Sequence, residues 1–451
     1  MKILMIRILT CTISLCKDGI VRTIILIGMA FFGLLALKGI EPVLVPQYDN
    51  VKHLGVASCD SSQCHGAVNP YKKGNIRRNE YQHWSKDDKH SQAYEVLGNQ
   101  QSQSIAQKIG LSNPQEAKMC LDCHSDNVPQ KLRGEKFQIR DGIGCEACHG
   151  GAERWIKSHT EEGATHSNNI ANGMYPTELP RDRAKLCLSC HYGDSNKLAI
   201  HKIMAAGHPR LRFELDSATI RQEHYDIDDD YQVRKKVVDS VNTWAIGMTV
   251  AASENAAMLW DPKLWSGGLF PEIALFDCHA CHHLMKDRRW MRRQTTVDLS
   301  PGAVRLNDSS FTMLYGIATA VDKAEADRLL QSIRRLHEAT ANSREAAVER
   351  SRELDAVIGD LREKILRKPL NRKAAEEIQN TIIDLGAKGE LRDYSGAEQG
   401  VVALDLLTFA INDKKSQPYI DKLFTILRDD TQHDPAAFSA VFAQLQQSRK
   451  K

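Results

Sequence analysis

The sequence predicts a mainly α-helical protein with little regular sheet, in which a cysteine-rich core precedes a C-terminal helical bundle. Residues 311–447 repeat apolar positions at helical spacing, contain few aromatics and contain no cysteine. The stretch from Val233 to Trp260 has few helix breakers and predicts one long helix. From residue 45 to Val233 periodicity is poor and turn residues are frequent, which predicts few long elements there.

These differences divide the chain into four parts. A linker rich in turn and polar residues contains Pro301 and Gly302. The C-terminal part is predicted to contain five or six helices, because residues that commonly lie at helix ends recur along it. These residues are Asn342, Pro369, Gly386, Gly396, Asn412 and Pro435. The predicted parts are an N-terminal segment at 1–44, the core at 45–294, the linker at 295–310 and the helical domain at 311–451.

The charge balance gives no support for a nucleic-acid partner. The 60 basic and 57 acidic residues leave a formal net charge of only +3 over 451 residues. The basic segment that contains Arg288, Arg289, Arg292 and Arg293 is most simply a solvated face.

The first part predicts export. An uninterrupted apolar stretch runs from Thr23 to Leu37, and Lys2, Arg7, Lys17 and Arg22 precede it. Its length suits a signal sequence, but no small-residue cleavage site follows, so we favour an uncleaved membrane anchor over a cleaved signal peptide. Positive charges before the segment place the rest of the chain in the periplasm, tethered to the inner membrane.

Ten of the 12 cysteines fall into five repeated motifs, each ending in histidine. Four have the form CxxCH and the first is expanded by two residues. In chain order they read CDSSQCH at 59–65, CLDCH at 120–124, CEACH at 145–149, CLSCH at 187–191 and CHACH at 278–282.

This pattern is typical of covalent haem attachment. Two thiols about one helical turn apart can add to the two vinyl groups of a haem, and the following imidazole then binds the iron. A zinc site or a disulfide is a weaker alternative, since neither needs a histidine after each second cysteine. The sequence thus predicts five haems c, attached through Cys59, Cys64, Cys120, Cys123, Cys145, Cys148, Cys187, Cys190, Cys278 and Cys281, with proximal ligands His65, His124, His149, His191 and His282.

Twelve further histidines could supply the second axial ligands. An iron with histidine on both sides suits electron transfer, whereas an open iron can bind a small molecule. The favoured distal candidates have aromatic neighbours, a rigid turn or a nearby motif: His90, His159, His208 and His283. Weaker candidates are His53, His83, His166, His201 and His224. These candidates supply about four or five distal ligands, which leaves open whether one of the five irons lacks a second histidine.

The order of these elements resembles the cytochrome c-554 family. The resemblance covers roughly 50–215 and is carried by a Tyr-x-x-Trp element at Tyr81–Trp84, the string GIGCEACHG at 142–150, and a histidine ten residues after His149. That family is the tetrahaem carrier of ammonia oxidisers, and its haem core is related to hydroxylamine oxidoreductase. The resemblance implies closely packed haems, His90 and His159 as distal ligands, and an open second haem, which falls on His124. The expanded first motif, the fifth motif and the long C-terminal part depart from the family and suggest a larger five-haem member.

The sequence therefore predicts a periplasmic electron carrier between donor and acceptor redox proteins. The alternative is a haem enzyme that acts on hydroxylamine, nitric oxide or nitrite at an open haem of His124. A third possibility is an assembly subunit that docks through its C-terminal helices, which could also mediate self-association. No residue is assigned a catalytic role with confidence.

Overall fold

A computed structural model describes residues 44–72, 76–265, 270–283, 292–429 and 433–450. Within these ranges the protein is mainly α-helical, as predicted, and contains two isolated β-bridges and no strand. Residues 45–451 group into one compact unit. The predicted anchor at Thr23–Leu37 lies outside the described residues, and within them no helix is long and apolar enough to cross a membrane. The domain boundaries at 44, 294 and 310 remain predictions.

The core segment contains short helices and one long helix, with 3₁₀ turns between several of them. They are α1 (Glu80–Lys86), α2 (Gln100–Ile109), α3 (Lys118–His124), α4 (Cys145–His149), α5 (His166–Ala171), α6 (Pro180–His191), α7 (His201–Ala205), α8 (Leu215–Gln222), α9 (Asp229–Arg234), α10 (Ser240–Trp260) and α11 (Cys278–Cys281).

Seven helices make up the described part of the C-terminal bundle, where five or six were predicted. They are α12 (Ser309–Val321), α13 (Lys323–Asn342), α14 (Arg344–Arg367), α15 (Arg372–Ala387), α16 (Tyr394–Ile411), α17 (Gln417–Ile426) and α18 (Pro435–Ser448). Most of the residues that were predicted to lie at helix ends do so. Asn342 is the last residue of α13, Asn412 caps α16 in a left-handed conformation, and Pro435 opens α18.

Helix α10 links the cysteine-rich segment to the bundle. Its residues are apolar on every face, and a helix of this kind is stable only when it is surrounded by protein. It packs against α6 and α8 on one side and against α12 and α14 on the other. The predicted helix from Val233 is wrong at its start, because the Asp239 side chain accepts a hydrogen bond from Asn242 N at 3.0 Å and caps the helix at Ser240.

A buried ion-pair network holds the chain that enters the bundle. Arg293 lies 2.7 Å from the Asp308 carboxylate and 2.8 Å from that of Asp393, and all three side chains are almost fully buried. The expectation that Arg293 belongs to a solvated face is therefore wrong. Arginine can be buried here because its planar donors meet two carboxylates and a backbone carbonyl, that of Glu390.

A second buried ion pair holds the fifth motif. Asp277, which precedes Cys278, pairs with buried Arg305, and its backbone N–H donates to Arg305 O at 2.9 Å. The ring of His279, between the two motif cysteines, packs against Tyr394 of α16 at 5.8 Å. The bundle therefore supports the segment that carries the fifth motif.

Candidate haem-binding cluster

The four ungapped motifs lie on helices. Those at 120–124, 145–149 and 187–191 end α3, α4 and α6, and the cysteines at 278 and 281 are the first and last residues of α11. Side chains three positions apart on a helix lie on one face, so both thiols of a motif point the same way. Each of the ten motif cysteines is a free thiol. The helix thus presents two nucleophilic sulfurs and an imidazole together, as attachment to one haem requires.

The expanded first motif reaches a similar arrangement through a turn. His282 N donates to Cys278 O at 2.8 Å, the helical bond that spans a normal motif. In the first motif, His65 N donates to Cys59 O at 3.1 Å, although His65 lies six positions after Cys59 instead of four. Cys64 N donates to Ser61 O at 2.9 Å, which closes the extra residues into an exposed turn. The insertion therefore leaves His65 next to Cys59.

Each of the five motif histidines faces a second histidine. A metal bound between two imidazoles separates their ring centres by about 6 Å, since each metal–nitrogen bond is about 2 Å. The ring centres are 6.4 Å apart for His65 and His159, 5.8 Å for His191 and His90, 6.3 Å for His124 and His208, 6.1 Å for His149 and His224, and 6.3 Å for His282 and His201. This spacing fits one iron per pair.

Three of the favoured distal candidates lie in these pairs. His90 and His159 lie opposite His191 and His65, and His208 lies opposite His124, for which the sequence offered no assignment. His283 was favoured, but the ring opposite His282 is that of His201. Their role as iron ligands remains a prediction.

Sequence reasoning undervalued His201 and His224. The aromatic-neighbour criterion that favoured His90 also applies to His224, whose ring packs on Tyr225 at 5.7 Å. His201 lacked such a signal, because it starts the short helix α7 and meets His282 only through the fold.

The three other weak candidates have different partners. His53 binds Asp126 at 2.7 Å, His166 binds Glu178 at 2.7 Å, and His83 lies 3.1 Å from the side-chain amide of Asn79.

Hydrogen bonds orient most of the paired rings through Nδ1, which leaves Nε2 as the nitrogen available for a metal. Glu80 lies 3.0 Å from His65 Nδ1, and the Ala93 carbonyl lies 3.0 Å from His124 Nδ1. Such partners fix the tautomer and rotation of a ligating imidazole. Burial, with the nearby His224, lowers the pKa of His149 to about 3, and burial also lowers the pKa of His124. Both rings are therefore neutral at physiological pH, the form that binds a metal.

One large cavity connects the first four motifs. Its volume is about 1820 Å³, whereas a pocket for one small ligand has about 300–1,000 Å³. Arg183, Arg212, Arg221 and Lys235 line it, which suits the ionised propionates of several haems. Arg183 Nε is buried and has no hydrogen-bond partner within the described ranges. The cavity size and this donor fit haem binding.

The glycines of the GIGCEACHG string permit close backbone contacts. Gly142 has φ +68°, and a Cβ there would lie 2.6 Å from the His90 carbonyl oxygen. Ile143 N donates to that oxygen at 3.0 Å, and Trp84 Nε1 donates to Ile143 O at 2.9 Å. The string therefore positions the chain that carries His90, and the residues behind the family resemblance contact one another.

Contacts between motifs order the attachment sites. Cys190 Sγ of the fourth motif lies 4.0 Å from the Asp122 carbonyl oxygen of the second. The Glu146 carboxylate of the third motif accepts hydrogen bonds from Leu54 N and Gly55 N, in the segment that leads into the first. Tyr175 N donates to His149 O of the third motif at 2.8 Å, and Tyr175 Oη donates at 2.8 Å to Asp182 O of α6, the helix that ends in the fourth motif. Helix α7 begins at His201, opposite the fifth motif, and precedes His208, opposite the second. The order in space is first, third, fourth, second, fifth.

Comparison with known proteins supports one family. Residues 58–150, which contain the first three motifs, match the model of the family described as cytochrome c554 and c-prime. No curated protein and no solved structure matches the chain.

Proposed function

We propose that this chain, whose residues 58–150 match the cytochrome c554 and c-prime family model, is a five-haem relay between redox proteins. The ten motif cysteines would attach the haems, and the five histidine pairs would hold the irons. Haem iron supplies a centre that gains and loses one electron at a time. The protein fixes the positions of these centres and shields them from competing ligands.

The pairing of His124 with His208 is the observation that carries this proposal. An enzyme of nitrogen-oxide chemistry needs an iron with a free axial position. The His208 ring lies 6.3 Å from that of His124, in the place where a substrate would have to bind. With a histidine on each side of all five sites, the arrangement favours a relay over the enzyme.

The two ends of the proposed relay are open to solvent. Cys64 of the first motif and Cys281 of the fifth are exposed, whereas the other eight motif cysteines are half-buried. These two motifs also stand at the ends of the order found above. We therefore place the contact with one redox partner near Cys64 and the contact with the other near Cys281.

The proposed location is the periplasm, because haem c proteins with an export segment act outside the cytoplasm. The apolar stretch from Thr23 to Leu37, preceded by four basic residues, supports tethering to the inner membrane. The C-terminal bundle, in which Tyr394 contacts His279 of the fifth motif, would serve as a brace and could also mediate self-association.

Optical and electron paramagnetic resonance spectra of the purified haem-loaded protein test the proposal. We expect five haems per chain, all low-spin, and no spectral change when nitric oxide, hydroxylamine or nitrite is added. A high-spin haem that binds one of these molecules and turns it over would refute the relay and establish the enzyme.

A further inference from the structure

Lys197 is a buried cation at the junction of the second and fourth motifs. It lies in the turn that follows α6, and only 7% of its surface is exposed. The turn is closed by a hydrogen bond from Asp194 N to Lys197 O at 2.8 Å. A lysine in a tight turn would normally extend into water, because burying its charge costs free energy. Its burial therefore needs a reason.

The Nζ atom contacts both motifs. It lies 3.1 Å from Cys190 Sγ of the fourth motif and 3.3 Å from the carbonyl oxygen of Asp122 in the second. Gln47 Oε1 accepts a third hydrogen bond. These three partners satisfy the three donors of an ammonium group without neutralising its charge.

Neighbouring carboxylates are engaged by other groups. The Asp122 side chain binds Lys118 and lies 2.7 Å from Asn127 Nδ2. The Asp194 side chain accepts from Tyr48 Oη at 3.0 Å and from Asn196 N at 2.7 Å. Within the described residues no carboxylate oxygen comes within ion-pair distance of Lys197 Nζ. Its positive charge therefore acts on the sulfur and carbonyl of the two motifs.

We propose that the positive charge of Lys197 raises the reduction potential of the haems at the second and fourth motifs. This inference rests on the proposed relay, in which a donor protein supplies one electron to a ferric haem and no bond forms or breaks. Reduction removes one positive charge from the site. A fixed cation beside it destabilises the oxidised form more than the reduced form, and burial strengthens the effect because the interior screens charge less than water does.

A redox titration of the haem-loaded protein, followed by its optical spectrum, tests this role. Lys197→Gln keeps a donor and removes the charge, Lys197→Met removes both, and Lys197→Arg keeps the charge. At a fixed potential, we expect the first two variants to raise the ratio of oxidised to reduced haem about tenfold in one or two of the five components of the titration curve. This change is a downward shift of the reduction potential by 59 mV. Lys197→Arg should stay within about twofold of the wild type.

Lys136→Met is the matched control. Lys136 also donates to a backbone carbonyl beside a motif, that of Ala57, but it is exposed, so solvent screens its charge. Its titration should overlay that of the wild type.

Three results would overturn the inference. The first is a Lys197→Gln titration curve that overlays that of the wild type, and the second is a Lys197→Arg curve shifted as far as that of Lys197→Gln. The third is haem loss in both uncharged variants, with unshifted potentials in the haems that remain. The last result would assign Lys197 a structural role. The relay proposal has a separate test, because it fails if the wild type contains a high-spin haem that reacts with a small molecule.

Discussion

Removal of the His208 imidazole should open one haem and leave four closed. In His208→Ala, no nitrogen remains opposite His124, where the two ring centres are now 6.3 Å apart. One of the five irons, about one fifth of the total haem, should become high-spin and accessible to small ligands. His208 is half-buried and its Nδ1 bonds only to the Pro209 carbonyl among the contacts described, at 2.7 Å, so the loss should cost only about 1 kcal/mol of stability.

The assay is the high-spin signal in optical and paramagnetic resonance spectra, normalised to the total haem content. Added imidazole should enter the space left by the side chain and restore the low-spin spectrum. His283→Ala is the control, because His201 already faces His282, and it should change neither spectrum. If His208→Ala stays fully low-spin without imidazole, His208 is not an axial ligand and the argument against an open second haem fails.

Three further predictions concern the surroundings of the sites. Gly142→Ala should place a Cβ against the His90 carbonyl and so move His90, which faces His191. The same spectra should then show a high-spin fraction at the His191 site. An unchanged spectrum would show that the backbone adjusts to the added Cβ. Arg293→Met should leave Asp308 and Asp393 buried without their cation and cost about 3–5 kcal/mol, seen as a lower Tm by circular dichroism. Arg350→Met, which breaks an exposed pair with Glu353, should leave Tm unchanged, and equal effects of the two would contradict the role of burial. Burial disfavours protonation of His53, but the hydrogen bond to Asp126 outweighs burial and raises the pKa of His53. The ion pair between the two side chains therefore stabilises the fold at acidic pH. This stabilisation is lost as the pH rises through the raised pKa. The Tm difference between the wild type and His53→Asn should therefore be larger at about pH 6 than at about pH 9, and a constant difference would show that His53 does not titrate there.

The attachment motifs could be predicted from sequence because their chemistry is local. Two thiols and an imidazole within five residues are brought together by one turn of helix, whatever the rest of the chain does. Even the expanded motif at Cys59–His65 keeps this property, since its extra residues form a turn of their own.

The partners of these motifs depend on the tertiary fold, and sequence reasoning was weaker there. His208 was predicted as a distal histidine from Gly207 and Pro209, but which motif it faces follows from the packing of α7. The burial of Arg293 was likewise hidden, because its two carboxylates come from positions 308 and 393. The helical character of the C-terminal part was predictable from its periodicity, whereas the start of α10 depended on the single cap at Asp239.

Helix α7 gives the five-site arrangement a modular character. The five residues from His201 to Ala205 are followed closely by His208, so one short segment faces the second motif at one end and the fifth at the other. A chain that stopped before Cys278 would keep four complete histidine pairs, and only His201 would lose the histidine that it faces. In the proposed relay, the fifth centre could thus be gained or lost at this junction without rebuilding the other four.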